Sequence, residues 1–319
     1  MKTNEQKNDK IKKNDKIFNL NFNKFIICKK KATKMTRAYK CLEILTDSFQ
    51  FIPDDVIDNI RKYIPVLTDK NIRQEVDNWC IGGKSQKRRI EALYGHISKW
   101  DVSRVTDMSR LFMNMTRFDD DISQWDVSRV IRMNNMFLKA LRFNQSLNNW
   151  NVSNVTNMNH MFREAVEFNQ PLNDWNVSNV KDMSSMFHCA KSFNQSLNNW
   201  NISNVTDMKY MFTGARSFNQ PLNDWNVSKV THMYNMFMGA RSFNQPLNNW
   251  NVSNVTCMEN MFEYAESFNQ PLNNWDVSNV TNMKGMFAYA KSFRHKNAPW
   301  YDKSNDFAYI YIDSSWYDS

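Results

Sequence analysis

Only six glycines and seven prolines occur in 319 residues, so collagen-like, linker-like and low-complexity architectures are excluded. Six glycines also leave few loops able to cradle a phosphate, and no Walker, G-x-G-x-x-G or G-x-S-x-G string is present. Histidine is equally scarce: His96, His160, His188, His232 and His295 show no metal-ligand spacing, and three of them sit at tolerant positions of a repeat. The five cysteines, Cys28, Cys41, Cys80, Cys189 and Cys257, are an odd number without a C-x-x-C pair. Free thiols in a reducing compartment are the simplest reading. No apolar run approaches the ~20 residues that cross a bilayer. These absences argue against an enzyme, a cofactor, a bound metal and a transmembrane segment.

The net charge of +9 suggests nucleic acid until it is mapped. Residues 1–40 hold thirteen Lys/Arg and three Asp/Glu, a surplus of +10, so residues 41–319 sum to −1. The basicity belongs to a tail of disordered composition. Contact with nucleic acid or an anionic membrane is therefore expected only through this tail, if it is not simply a solvated extension. As a signal peptide residues 17–28 are poor, because Asn19, Asn21, Asn23 and Lys24 interrupt the apolar stretch. Free cysteines and the weak leader together favour an intracellular location.

What the chain has in abundance is one sentence repeated. Trp100, Trp125, Trp150, Trp175, Trp200, Trp225, Trp250, Trp275 and Trp300 fall 25 residues apart with no insertion or deletion. A fixed period of this size means stacked supersecondary units sharing one core. Counting from each Trp, apolar residues recur at +2, +5, +8, +11, +12, +15, +18 and +22. The spacing of +8, +11, +12 and +15 matches one face of a helix, and +22, 0 and +2 read as a short strand entering a turn. The expected unit is strand, turn, helix and return. From the leucine, Leu172-x-x-Trp175-x-Val177-x-x-Val180 has the spacing of a leucine-rich repeat. The fold class is thus expected to be α/β, a leucine-rich-repeat-like solenoid of eight units. Thr156, Thr206, Thr231, Thr256 and Thr281 stand where a helix N-cap is wanted, with Ile131 and Lys181 in two copies.

Four regions follow: a basic tail at 1–40, a helical N-terminal cap at 41–93, the repeats at 94–300 and a C-terminal cap at 301–319. In the cap, helical spacing appears at 53–63 and at 71–80, where Ile72, Val76 and Trp79 share a face, and a basic segment occupies 86–94. Strand composition at 307–312 suggests a cover for the last repeat.

Two resemblances add names. The run at 243–262, Phe-Asn-Gln-Pro-Leu-Asn-Asn-Trp-Asn-Val-Ser-Asn-Val-Thr-x-Met-x-x-Met-Phe, resembles the BspA-type surface-protein repeat of mycoplasmas, other bacteria and large DNA viruses. That likeness covers about residues 94–300 and implies a leucine-rich-repeat-like interaction module, often on a cell surface. The segment from Phe51 to Ile64, with Pro53, Ile57 and Ile60, more distantly resembles the opening of an F-box, which implies docking onto a Skp1-like adaptor. Pro and acidic residues also suit any helix's first turn.

Asparagines at +23, +24 and +1 vary little and are expected to line a concave face, their uniformity reflecting hydrogen bonds along the stack or a regular polymeric ligand such as a glycan. Asn169-Gln170 and their counterparts are expected to bridge neighbouring units. Variation concentrates at +9, +10, +13, +14, +16 and +17, the outward positions of the expected helix. Lys209, Tyr210, Arg216, Tyr234, Glu259, Glu263, Tyr264 and Tyr289 on this face form the candidate interaction surface. The function expected is a non-enzymatic protein-protein interaction scaffold. The alternatives are an F-box-like ubiquitin-ligase substrate adaptor and a surface adhesin or glycan-binding protein.

Overall fold

The computed structural model describes residues 66–307. They divide into two compact units, one holding Val66 and residues 77–100, the other residues 67–76 with 101–307. The 1–65 region, including the basic tail and the F-box-like Pro53, Ile57 and Ile60, lies outside the described residues, as do residues 308–319.

Two α-helices precede the repeats: α1, Ile72–Cys80, and α2, Gly83–Tyr94. Ile72, Val76 and Trp79 of α1 are all buried, at the helical spacing that places them on one face. On α2 the buried residues are Ile90 and Leu93. The helix ends at Gly95, whose φ of 76° is left-handed, a conformation glycine adopts without a Cβ penalty. Within the same unit Trp79 packs edge-on against Trp100 at 6.0 Å, and the Trp100 indole donates to the Gly95 carbonyl at 3.1 Å.

The repeats differ from the strand, turn and helix unit that their spacing suggests. Among the described residues 101–294 there is no α-helix and no extended strand; each repeat is a succession of tight turns. Within a rung, amide N–H groups donate to the carbonyl three residues back, as in Val155 to Val152, Met161 to Met158, Arg163 to His160, Ala165 to Phe162 and Phe168 to Ala165. Donors at +8, +10, +12 and +14 instead donate to the next rung: Met158 to Asp182, His160 to Ser184, Phe162 to Met186 and Glu164 to His188, at 2.7–3.0 Å. The residues at +10 and +14 carry positive φ, among them Asn135 at 59°, His160 at 55°, Glu164 at 58° and Gly214 at 64°. A left-handed residue at every fourth place turns alternate N–H groups off the coil axis, and an α-helix cannot tolerate it. Seven isolated parallel bridges, from Asp107 with Arg132 to Cys257 with Asn282, mark the same ladder at +7.

The threonines at +6 belong to a second ladder and cap no helix. Thr206 N donates to the Lys181 carbonyl at 3.0 Å, and Thr256 N to Thr231 at 3.0 Å. Ile131 and Lys181 keep this backbone bond, to Thr106 and Thr156, so the two exceptional copies lose only the hydroxyl's contact.

The core explains why the sentence repeats. The phenylalanines at +12 and +18 are 0% exposed in most rungs and stack face to face, Phe162 on Phe168 at 4.1 Å. Each also stacks on its counterpart one rung on, Phe162 on Phe187 at 5.7 Å and Phe168 on Phe193 at 6.0 Å. Tryptophans form a third column, Trp175 over Trp200 at 6.3 Å with rings 1° from parallel. From Trp175 to Trp300 each indole donates to the leucine carbonyl 28 residues back, Trp200 Nε1 to Leu172 at 2.8 Å, and Trp150 donates likewise to Ile122 at 3.1 Å. Offset rings of this kind contribute ~0.5–1.5 kcal/mol per pair beyond burial, so a rung draws its stability from its neighbours.

Asparagine ladders run along the outside. Asn169 Oδ1 accepts from the Asn194 N–H at 2.9 Å and from Gln195 Nε2 at 3.0 Å, and the same pair of bonds recurs from Asp119 to Asn244. At +4, Asn179 Nδ2 donates to the Ser153 carbonyl of the previous rung at 2.7 Å. These bonds satisfy backbone groups that a structure without long strands would otherwise leave open.

Candidate functional site

Because rungs are joined at +6, +8, +10, +12 and +14 by backbone bonds, every side chain from +6 to +17 stands in register with its counterparts 25 residues away. The surface is a set of columns. The eight residues singled out from the sequence fall into separate groups on it. Lys209 and Tyr210 sit on one rung and Tyr234 on the next, with the Tyr210 and Tyr234 rings edge to face at 5.1 Å. The Lys209 ammonium is 2.8 Å from Asp207 Oδ2, and this bond holds its proton more tightly than usual. Burial pushes the Tyr234 phenol up, against the opposing charge of Lys209.

Glu259, Glu263, Tyr264 and Tyr289 make the second group. Tyr264 and Tyr289 stack at 4.5 Å with rings 6° from parallel, and Tyr289 is 55% exposed. Glu259 Oε2 accepts from Asn282 Nδ2 at 3.1 Å. Glu263 is not the outward residue the helix reading made it. At 8% exposure it is buried, its Oε2 lacks a hydrogen-bond partner, and burial, aided by the charge of Glu259, pushes its carboxyl up to about 7. In the same +13 column Thr213, Met238 and Ala288 are buried too, whereas Met113, Leu138, Arg163 and His188 are half-buried. Arg216, half-buried at +16, belongs to a different column from both tyrosine pairs.

One further group is not apparent from residue spacing. His188 is held neutral, its imidazole lowered to about 3 by burial first and then by the Arg163 charge, and burial lowers His160 as well. Neither Nδ1 has a hydrogen-bond partner. The adjacent Cys189 thiol is pushed up by burial, which disfavours the thiolate that nucleophilic chemistry requires. Among the described residues Cys80, Cys189 and Cys257 take part in no disulfide. Among the described residues no three His, Cys, Asp or Glu side chains gather as a metal site would need, and no helix is long and apolar enough to cross a membrane.

The family described as "Mycoplasma protein of unknown function, DUF285" matches the chain twice, over residues 84–200 and 181–300. No curated protein and no solved structure matches it.

Proposed function

We propose that this chain, which belongs to the Mycoplasma family of unknown function DUF285, is a non-enzymatic protein-protein interaction scaffold whose eight 25-residue rungs form a solenoid of BspA type. The observation that carries the reading is the contrast between columns. The buried columns at +5, +8, +12, +15 and +18 hold nearly one residue type each. The columns at +9, +10 and +14 change from rung to rung, and it is there that Tyr210 meets Tyr234 and Tyr264 meets Tyr289. Paired aromatics with polar tips are the side chains that anchor protein interfaces. A uniform core makes the rungs; a non-uniform surface makes them distinguishable to a partner.

The test is site-specific photo-crosslinking in the full chain, with a photoreactive residue at 210, 234, 264 or 289 and, as controls, at 173 or 223. One defined protein adduct from the first set alone supports the scaffold. Adducts of equal yield from both sets, or none from either, would remove the tyrosine columns as the contact surface.

A further inference from the structure

The columns at +16 and +17 carry a charge pattern the rest of the stack lacks. Over eight rungs they hold six cations, Arg117, Arg142, Lys191, Arg216, Arg241 and Lys291, and two anions, Glu167 and Glu266. The columns at +24 and +1 hold five aspartates and no cation. Charge is therefore sorted by column within residues 101–300, where eighteen Lys/Arg nearly balance sixteen Asp/Glu.

A backbone ladder fixes the register of the basic column. Ser217 N donates to the Lys191 carbonyl at 3.2 Å, Ser242 N to Arg216 at 3.2 Å, Ser267 N to Arg241 at 3.1 Å and Ser292 N to Glu266 at 3.1 Å. At the far end Glu266 shows what an anion does here. Its carboxylate lies 3.5 Å from Arg241 Nε on one side and 3.1 Å from Lys291 Nζ on the other, bridging the rungs before and after. Side chains at +16 thus reach one another across a rung. Lys191, Arg216 and Arg241 occupy three consecutive rungs, the last of them already paired with Glu266, and Ser192, Ser217 and Ser242 stand exposed beside them. Like charges held in register repel, and an anion placed between them relieves the repulsion as Glu266 does.

We infer that this column binds a linear acidic polysaccharide, its sulfate or carboxylate groups seated between successive cations and its hydroxyls on the serine column. A regular ladder fits a polymer whose charges repeat, and guanidinium groups take sulfate and carboxylate with paired bonds. Nucleic acid is the less apt polyanion, because the +16 and +17 positions contain no aromatic side chain on which a base could stack. The inference concerns surface chemistry apart from the tyrosine pairs and stands or falls independently of the protein-binding reading.

The experiment measures binding of labelled dextran sulfate, neutral dextran and an oligo-dT strand to the full chain over a range of salt. Two triple variants remove the same charge: Lys191→Gln with Arg216→Gln and Arg241→Gln, and, as control, Arg104→Gln with Arg129→Gln and Lys229→Gln on the exposed +4 column. The expected result is that the first weakens dextran sulfate binding about tenfold or more and flattens its salt dependence by roughly two to three counterions, while the control changes it by about twofold at most. Glu266→Gln is expected to tighten binding, a gain that misfolding could not produce. Equal loss in the two triple variants would overturn the proposal by assigning binding to overall charge and the basic tail. Oligo-dT affinity that matches dextran sulfate and falls as steeply in the first variant would replace it with nucleic-acid binding.

Discussion

Asn194 is where the rung-to-rung asparagine ladder is best put under strain. Its Oδ1 accepts two bonds from the following rung, the Asn219 N–H at 2.9 Å and Gln220 Nε2 at 3.1 Å. Asn194→Ala leaves both donors without an acceptor in a site where Asn219 and Gln220 are half-buried. A buried donor left unsatisfied costs ~1–3 kcal/mol; two of them, each with partial access to water, set the expected loss at about 2–3 kcal/mol. Asn194→Asp keeps the acceptor and gives up nothing that those two bonds use. Asp119 heads the same column and receives the Asn144 N–H and Gln145 Nε2 at 2.9 Å each, so the site accommodates a carboxylate. The Asp variant is therefore expected within about 1 kcal/mol of the parent. Urea denaturation of the full chain followed by tryptophan fluorescence reads the difference. Hydrogen exchange at Asn219, faster in the Ala variant alone, localises it. An Ala variant that loses less than about 0.5 kcal/mol, or an Asp variant that loses as much as Ala, would show that the ladder does not bear on stability in the way the bonds imply.

Three further expectations follow from the same geometry. Phe212 is 0% exposed and stacks on Phe187, Phe218 and Phe237 at 5.7, 4.1 and 5.6 Å, so Phe212→Ala should cost ~3–5 kcal/mol in chemical denaturation, and a loss below about 1 kcal/mol would mean the aromatic columns are misplaced. Asn135 holds a φ of 59°, where an L-residue pays ~1–2 kcal/mol; Asn135→Val should therefore destabilise by about that amount and Asn135→Gly should be neutral or stabilising, an order that a helical rung would reverse. The Glu263 carboxyl, raised from 4.5 to about 7, binds its proton more tightly folded than unfolded. The stability tied to it is thus complete below about 4.5 and is lost as pH rises through 7, so Glu263→Gln should gain on the parent between pH 5 and 8 in urea midpoints; a difference independent of pH would contradict the buried site.

Much of this molecule is legible from its sequence, and the part that misled did so for a definite reason. The 25-residue period, the membership of each buried column and the bridging role of Asn169-Gln170 are all readable from residue type and spacing. Helices α1 and α2 fall where apolar residues recur at helical intervals. The rung interior does not, because bonds from N–H to the third carbonyl back generate nearly the same apolar spacing as an α-helix. Position +8, +11, +12 and +15 residues face inward in either geometry. The discriminating signal was at +10 and +14, where seven of the sixteen places hold Asn or Gly: Asn114, Asn135, Asn235, Asn260, Gly214, Gly239 and Gly285. Asparagine and glycine are the residues that accept positive φ, and a helix would have had little use for them there. Reading +13 as an outward helix position likewise hid the burial of Glu263.

The two ends of the ladder show how a stack of this kind stops. Every internal rung has its +6 N–H answered by the carbonyl of the rung before, and the first rung has none before it. Asp69 takes that place: Oδ1 accepts the Thr106 and Asp107 N–H groups at 2.8 and 3.0 Å, and Oδ2 accepts the Thr106 hydroxyl at 2.6 Å. Arg73 joins it on the same rung, donating to Asp107 Oδ1 and the Ser109 carbonyl at 3.1 and 2.8 Å. At the other end the last rung's +10 and +12 donors need carbonyls that no ninth rung supplies. The Asn305 carbonyl accepts Gly285 N at 2.8 Å and Asp306 Oδ1 accepts Phe287 N at 3.3 Å, while Tyr301 fixes Asp306 with a 2.6 Å bond. A carboxylate thus stands in for a missing backbone carbonyl at each end. Such a substitute accepts bonds but donates none onward, so it closes the ladder against the addition of another chain's edge, the hazard that open hydrogen-bonding edges carry.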